Sequence, residues 1–467
     1  MAKREKLNVG RVILCINILV IVIIIGFYTG RLLKYYKLEH KKSNGEENTT
    51  LLVDALMKKR SYVDLTKGLV CDEETNICKY KGDVKDNYLL YSGNLYRIFS
   101  IDSKSNIVAV SEKNVTLMYS GLEKGYNNSY INKWLNMSDA SHSGIFENSL
   151  FDTELLDYTS LCADNIDDVE NIECHEINDD NRITLLSLYD YKEAGGKSSF
   201  LNNGESYFLA TLNDNKEVYY ITPEGDISVI KNIASINGVR PVITINHNTD
   251  LISGKGTKDN PYIIEKHDIK TLGDVYIGNY VKFNNDVYKV VNRTETTTKV
   301  ASAEVLSDDQ GKMLKPFGGY NNKYSNSSSK SIGRYLNDEY LKGIENSDNI
   351  VENKWYIGNL ELGNLDYVNK YASSVTLKVG MLGLADMYVQ DLNNILTISR
   401  GIEASDVIEV ITSDGTVYSD SINKEYNIRS SFYLKSDMEV TEGKGTIDKP
   451  YILGVANDGE QGNETED

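Results

Sequence analysis

The chain has 467 residues, 40% of them hydrophobic and 25% charged, which is enough to bury the cores of two or three domains. Its net charge is −18, although residues 1–42 are basic, with nine Lys or Arg and two Glu. The acidic remainder argues against nucleic acid as a partner, because contacts to phosphate groups require clustered Lys and Arg.

An apolar segment near the N-terminus predicts a transmembrane helix. The residues between Arg11 and Arg31 are uncharged, and about 20 apolar residues span a bilayer. We therefore predict a cytoplasmic N-terminus at 1–11, a transmembrane helix at 12–30 and a stalk at 31–66. A cleaved signal peptide is the alternative, but no small-residue cleavage site follows the segment. The lipid bilayer is thus a predicted partner of a single-pass signal-anchor protein in the cell membrane.

The cysteines favour a body that lies outside the cytoplasm. Cys15 falls in the apolar segment, and the other four form two local pairs, Cys71 with Cys78 and Cys162 with Cys174. Such short spacings suit disulfides that close loops, so we predict both bonds. Neither pair is CxxC and no His follows at zinc-finger spacing, which makes zinc the weaker alternative.

The rest of the chain is a tandem duplication. The segment NYLLYSGNLYRIFSID at 87–102 matches NYVKFNNDVYKVVNRT at 279–294, and each reads as strand, tight turn and strand. Five further blocks recur in the same order, among them SYINKWLNM with SIGRYLNDEYL, whose apolar residues have helical spacing. We predict a first repeat domain at 67–266, a second at 270–454 and a disordered acidic tail at 455–467.

One repeated block closes each domain. Residues 253–264 read SGKGTKDNPYII, and residues 442–453 read EGKGTIDKPYIL. A phosphate-binding P-loop places Lys directly after its second Gly, and this order is absent here. The block instead predicts a glycine turn with positive φ, followed by a last strand that begins at a proline.

The matched hairpins and helical segments predict an α+β fold, with two tandem mixed domains after the transmembrane helix. The motif order NY..Y.G.LYRI, SYI..WLN, GVRPVI.I and SG.GT.DNPY.I resembles an uncharacterised family of bacterial, chiefly Firmicutes, membrane-anchored repeat proteins, over residues 68–453. The early WLN helix and the late G-x-R strand are also similar to C-type-lectin-like domains. This resemblance implies a lectin-like fold and supplies no activity. The second repeat departs from the pattern, because NGVRP has become YNIRS.

Four residues are candidate ligand contacts. Arg240 and Arg429 occupy matched positions in late strands, where each arginine suits an anion or a glycan, or else a local carboxylate within the structure. Trp134 and Tyr335 occupy matched positions in the early helix, where each ring suits a ligand or the core.

Catalytic chemistry has little support in the sequence. The histidines stand outside recognisable catalytic motifs such as HExxH, and no GxSxG nucleophile motif is present. The histidines are His40, His142, His175, His247 and His267. We therefore predict no catalytic residue and no cofactor, and an enzymatic role stays uncertain.

Calcium is the metal that the sequence leaves open. Residues 164–181, DNIDDVENIECHEINDDN, are dense in oxygen ligands but lack the EF-hand order. A solvated loop closed by a disulfide is the alternative. The sequence does not identify which metal, if any, this segment binds.

Taken together, the sequence predicts a membrane-anchored, extracytoplasmic, non-catalytic binding or adhesion protein with duplicated ligand-binding domains. Its ligand would be a cell-wall glycan, a host glycan or a surface protein, and two weak sites would gain avidity. One alternative is a cell-envelope enzyme, or an enzyme accessory, with an unrecognised site. The other is a structural subunit of a surface assembly.

Overall fold

Short β-strands form most of the regular structure. The computed structural model describes residues 50–136, 145–230, 235–306, 314–316, 324–326, 331–356, 374–392, 395–400, 407–412 and 416–454. The chain divides into two units, Met1–Thr50 and Leu51–Asp467. In the described ranges the longest strands have eight residues and the longest α-helices six. The strands are rich in Val, Ile and Tyr, whose branched or aromatic side chains suit a pleated surface.

The strands up to residue 263 are β1 (Thr50–Leu51), β2 (Gly68–Cys71), β3 (Cys78–Lys81), β4 (Tyr88–Tyr91), β5 (Asn94–Ile101), β6 (Ile107–Ser111), β7 (Thr116–Tyr119), β8 (Leu156–Asp157), β9 (Leu161–Cys162), β10 (Ile177–Asn178), β11 (Ile183–Thr184), β12 (Tyr207–Leu212), β13 (Val218–Ile221), β14 (Ile227–Ile230), β15 (Ile236–Val239), β16 (Val242–Ile245), β17 (Asp250–Leu251) and β18 (Tyr262–Ile263).

The strands that follow are β19 (Tyr280–Phe283), β20 (Asp286–Arg293), β21 (Thr297–Ser302), β22 (Leu314–Pro316), β23 (Ile350–Val351), β24 (Asn353–Tyr356), β25 (Ser374–Leu377), β26 (Val379–Gly380), β27 (Ile395–Arg400), β28 (Val407–Ile411), β29 (Val417–Ser421), β30 (Glu425–Asn427), β31 (Ser431–Lys435), β32 (Val440–Glu442) and β33 (Tyr451–Leu453).

The helices are short. The α-helices are Leu52–Met57, Tyr130–Leu135, Leu188–Glu193 and Ile332–Tyr335, and a π-helical turn, Leu336–Tyr340, follows the last of them. The 3₁₀ turns are Leu122–Lys124, Tyr126–Asn128, Glu147–Ser149, Thr153–Leu155, Gly196–Ser198, Leu272–Asp274, Leu341–Gly343, Ser347–Asn349 and Val389–Asp391.

The prediction of an α+β fold is wrong, because the described fold is predominantly β. The predicted early helix does form, at Tyr130–Leu135, but it stops after six residues. It ends because Asn136 has an extended backbone, with φ −111° and ψ 152°. Such short helices connect the sheets and do not form a layer of their own.

The described part of the chain contains no helix that is long and apolar enough to cross a membrane. A helix of six residues is about 9 Å long, against a hydrocarbon core of about 30 Å. This finding contradicts the prediction of a single-pass protein in the cell membrane, and we do not retain that prediction. The segments 1–11 and 12–30 and the tail 455–467 lie outside the described residues. The end of the predicted stalk packs into the core through Leu52 and Leu56.

Two large sheets and two 2-stranded sheets, β1-β17 and β10-β9, make up the first half of the described fold. In the larger sheet the strand order is β11-β16-β6-β5-β3-β2, with β4 beside β5, β18 beside β4 and β8 beside β16. In the smaller sheet the order is β14-β13-β12-β15-β7. Most neighbouring strands are antiparallel, whereas β18 lies parallel to β4 and β15 lies parallel to β12.

The second half repeats most of this strand order, but its equivalent of the smaller sheet is divided into two sheets, β27-β28-β29 and β22-β30. The series β16-β6-β5-β4-β18 corresponds to β31-β21-β20-β19-β33, and β12-β13-β14 corresponds to β27-β28-β29. The pair β7-β15 corresponds to β22-β30, and β33 lies parallel to β19. The repeated sequence blocks thus form equivalent strands, which follow one another in the same order in both halves. The exact domain boundaries stay a prediction.

The closing block of each half forms the predicted glycine turn and final strand. Gly254 has a φ of 100° and Gly443 a φ of 121°, a region that strongly favours glycine. A Cβ atom at either position would overlap the carbonyl oxygen of Pro261 or Pro450. Strands β18 and β33 then begin one residue after these prolines. The glycines are therefore needed for the turn, and this local prediction is confirmed.

A junction segment, defined as residues 382–392, joins the second half to strand β7 of the first half. The Ala385 N–H donates to the Leu117 carbonyl at 3.0 Å, and the Tyr388 N–H donates to the Val115 carbonyl at 2.7 Å. Leu117 also packs in an apolar cluster with Val389 and other buried residues of the second half. The two halves therefore share a buried junction.

Candidate ligand-binding surface

Trp134 lies wholly inside the protein. Its exposed fraction is 0%, and its indole stacks on Phe146 with a centroid distance of 6.0 Å. Its Nε1–H donates to the Ala385 carbonyl at 3.1 Å. The helix that carries it is capped by Ser129, whose Oγ accepts the Asn132 N–H at 3.0 Å. Trp134 thus ties the first half to the junction segment and presents no surface to a ligand.

The two matched arginines hold equivalent backbone groups. Arg240 is 1% exposed, and its Nε donates to the Ser111 carbonyl at 2.9 Å. In the second half, Arg429 Nη1 donates to the Ser302 carbonyl at 3.1 Å and also to Ala303. Ser111 and Ser302 end the corresponding strands β6 and β21. Each guanidinium therefore fixes the end of a central strand, and burial lowers the pKa of Arg429.

Tyr335 packs partly buried against the core. The four predicted ligand contacts are therefore not gathered on one exposed surface. Their role as ligand contacts stays a prediction. The observed contacts of Trp134, Arg240 and Arg429 are all with groups inside the protein, and they stabilise the fold.

Two asparagines that the sequence analysis did not single out explain the WLN motif. Asn136 donates through Nδ2 to the Ile183 carbonyl at 2.8 Å and accepts the Ile183 N–H through Oδ1 at 3.0 Å. Asn337 does the same with Val379, at 2.8 and 3.0 Å. Each side-chain amide thus pairs with a backbone as a neighbouring strand would. The recurrence of Leu-Asn in both repeats was the signal for this pair.

A buried ion pair stabilises the junction segment. Lys299 Nζ lies 2.8 and 2.7 Å from the two carboxylate oxygens of Asp386, and one of these oxygens also accepts the Gly383 N–H at 2.8 Å. Burial alone would lower the pKa of Lys299, but the attraction of Asp386 raises it above its ordinary value. The ammonium also lies 4.9 Å from the Trp355 ring centre. These buried groups have structural partners and no open face for a substrate.

The described histidines do not form the convergent site that an enzyme would need. His247 Nδ1 lies 3.1 Å from Asn106 Oδ1, and His267 Nε2 lies 2.7 Å from the Asp274 carbonyl. His175 has carboxylate neighbours, but it stands on a loop with 69% of its side chain exposed. His40 and His142 lie outside the described residues.

Both predicted disulfides are confirmed. The Cys71–Cys78 bond joins the paired strands β2 and β3, and the Cys162–Cys174 bond closes the acidic loop. In that loop the Asp164 carboxylate accepts backbone N–H groups at 2.7 and 3.0 Å. One carboxylate of the run that we considered for calcium therefore organises the loop itself.

An exposed aromatic cluster, here named the Tyr418 surface, consists of Tyr418, Asp420, Lys424 and Tyr426. Tyr418 is 43% exposed on β29, the edge strand of the β27-β28-β29 sheet. Its hydroxyl lies 3.4 Å from that of Tyr426, which donates to Asp420. Lys424 Nζ donates to the same carboxylate at 2.9 Å. These hydrogen bonds fix an aromatic side chain beside an anion and a cation.

The electrostatics of the Tyr418 surface follow from these contacts. The hydrogen bond from Tyr426 is the main cause that lowers the pKa of Asp420, so the carboxylate stays ionised at neutral pH. Burial, together with this anion, raises the pKa of Tyr426, which stays a neutral donor. A phenol face flanked by a carboxylate and an ammonium can stack on an apolar ligand face and bond to its hydroxyl or amide groups.

The first half lacks this arrangement at the equivalent position. The hairpins β13-β14 and β28-β29 are closed by the same 2.9 Å backbone bond, from Thr222 to Asp226 and from Thr412 to Thr416. Strand pairing then places Ser228 where the second half has Tyr418. The Tyr418 surface is therefore specific to the second half, and Ser228 is its natural control.

Comparison with protein-family models, with curated protein sequences and with solved structures gives no match to this chain. The resemblance to the bacterial repeat family, and the more distant one to C-type-lectin-like domains, therefore stay predictions from sequence motifs.

Proposed function

We propose that the chain is a non-catalytic binding protein that recognises a glycan or a protein ligand through the Tyr418 surface. The observation that carries this proposal is the exposed Tyr418 ring, held beside Asp420, Lys424 and Tyr426 by a chain of side-chain hydrogen bonds. A ring that is already held in place loses less side-chain entropy on binding than a free one, and its affinity gains accordingly.

A glycan suits this chemistry best. The C–H face of a sugar ring packs on the phenol, while hydroxyl groups donate to Asp420 and accept from Lys424. An exposed site of this size binds weakly, so we propose that the biological ligand is a repetitive polymer, which several copies of the protein bind together with gained avidity. A cell-wall glycan and a host glycan both have that character.

A structural assembly subunit is the second candidate. The buried junction favours it, because Trp134 and the junction segment hold the two halves together, and the Lys299–Asp386 pair fixes that segment within the second half. Such a body would serve as a spacer without any small ligand.

The test is a screen of the labelled full chain against a glycan array and purified cell walls. We expect saturable binding that falls at least about tenfold in the Tyr418→Ala variant, which is about 1.4 kcal/mol of binding free energy. The matched control is Ser228→Ala, which removes the equivalent side chain of the first half and should leave binding unchanged. The melting temperature of each variant checks that its fold is intact.

Two results would contradict the glycan proposal. Equal binding by wild type and Tyr418→Ala would place any site elsewhere. The absence of saturable binding to every glycan and wall preparation would favour the structural candidate.

A further inference from the structure

We propose that Cys162, Asp164, Cys174 and His175 form a Zn²⁺ site when the Cys162–Cys174 disulfide is reduced. This site is independent of the Tyr418 surface. It lies on the acidic loop of the first half, where the bond between the two cysteines holds the loop closed in the oxidised protein.

Three of the four donor atoms already lie close together. Those of Cys162, Asp164 and Cys174 all lie within 4.8 Å of one another. Cys162 Sγ is 3.4 Å from Asp164 Oδ2, and His175 Nδ1 is 3.9 Å from Asp164 Oδ1. Zinc bonds of about 2.0–2.3 Å in a tetrahedron place neighbouring ligand atoms about 3.3–3.8 Å apart. The two sulfur atoms must separate, which they can do once their bond is broken, and the exposed His175 ring must turn toward them.

A second set of contacts orients these ligands. Asp164 Oδ2 accepts the backbone N–H groups of His175 and Glu176 at 2.7 and 3.0 Å, which leaves Oδ1 turned toward the His175 ring. On the other side of that ring, Nε2 lies 3.1 Å from Glu173 Oε2. A carboxylate that bonds to the outer nitrogen of a histidine is the usual support for a metal-bound imidazole. The loop therefore turns Nδ1 toward the Asp164 carboxylate.

The redox step balances with an external dithiol as the reductant. The dithiol supplies two electrons and two protons, so the Cys162–Cys174 bond breaks, two S–H groups form and the dithiol closes to its own disulfide. Zn²⁺ then displaces both thiol protons to solvent as two Zn–S bonds form. Asp164 and neutral His175 complete the set. Two thiolates and an imidazole select zinc over calcium, which prefers oxygen ligands.

The experiment uses the full chain in a Cys71→Ser/Cys78→Ser background, so that the remaining bridge is Cys162–Cys174. One sample is reduced with a trialkylphosphine, which does not chelate zinc as a dithiol does, and is then desalted without oxygen. Zn²⁺ is titrated by calorimetry, and Co²⁺ is substituted to record its absorption spectrum. We expect about one equivalent of zinc, bound at least about 100-fold more tightly after reduction than before.

Variants identify the ligands. His175→Ala should weaken zinc binding about 10- to 100-fold. Because the His175 side chain is 69% exposed, its loss should leave the fold intact even where a cysteine variant fails to fold. Cys162→Ser should remove the thiolate-to-cobalt absorption band. The proposal is overturned if reduced and oxidised protein bind zinc equally, if the cobalt complex shows no thiolate band, or if His175→Ala binds as tightly as its parent.

Discussion

Replacing Asp386 with Leu would leave the Lys299 ammonium buried without its counter-charge. The Lys299 side chain is 8% exposed, and both of its short bonds to Asp386, at 2.8 and 2.7 Å, would be lost. Breaking a buried ion pair in this way costs about 3–5 kcal/mol in free energy of unfolding. The Gly383 N–H would also lose its acceptor, which adds about 1 kcal/mol. Asp386→Leu should therefore be among the most destabilising substitutions in the second half.

The double variant Lys299→Met/Asp386→Leu separates charge burial from packing. Removing both charges leaves no unpaired ion, so we expect a cost of only about 1–2 kcal/mol and a coupling of at least about 2 kcal/mol between the sites. The matched surface control is Asp338→Leu, which breaks a 3.0 Å pair with Arg334 that is about half exposed on both sides. That change should cost less than about 1 kcal/mol.

Denaturant unfolding, followed by circular dichroism, measures five proteins: wild type, Asp386→Leu, Lys299→Met, the double variant and the control Asp338→Leu. The reasoning is refuted if Asp386→Leu costs no more than Asp338→Leu. It is also refuted if the double variant loses the sum of the two single losses, because the buried charges would then not be coupled.

Further predictions concern the paired asparagines and the disulfides. Asn136→Ala and Asn337→Ala each remove two bonds to a strand backbone, and each should lower the free energy of unfolding by about 2–3 kcal/mol, whereas the exposed control Asn128→Ala should change it by less than about 0.5 kcal/mol. Equal losses in all three would disprove the structural role of the WLN asparagine. The disulfides close sequence separations of 7 and 12 residues, so their reduction should destabilise the chain by about 2.5 and 3 kcal/mol and lower its melting temperature. Thiol labelling of the unfolded, unreduced chain should find one reactive cysteine, Cys15, and five reactive cysteines would be inconsistent with both bonds.

The features that were predicted correctly from the sequence depend on residues that lie close together along the chain. The glycine turns depend on a steric overlap with a proline only seven residues away, and both disulfides close short loops. The repeated blocks likewise follow one another in the order of the equivalent strands, because a duplicated chain folds each copy under the same local preferences.

The features that the sequence did not predict depend on contacts between distant residues. Trp134 has helical spacing, which fits the core and a binding face equally well, and its partner Ala385 lies 251 positions away. The early helix was predicted from its apolar spacing, but it ends after six residues, where Asn136 has an extended backbone and its side chain bonds to Ile183, 47 positions away. The Tyr418 surface was missed because its exposure depends on the position of β29 at a sheet edge, which alternation within one strand cannot reveal.

The most direct test of the binding proposal is a calorimetric titration of the best ligand from the glycan screen into wild type, Tyr418→Ala, Asp420→Ala and Ser228→Ala. If the ligand binds at the Tyr418 surface, Tyr418→Ala and Asp420→Ala lose at least about tenfold in affinity, whereas Ser228→Ala binds as wild type does. Unchanged affinity in Tyr418→Ala and Asp420→Ala, in proteins that melt normally, would contradict the proposed site.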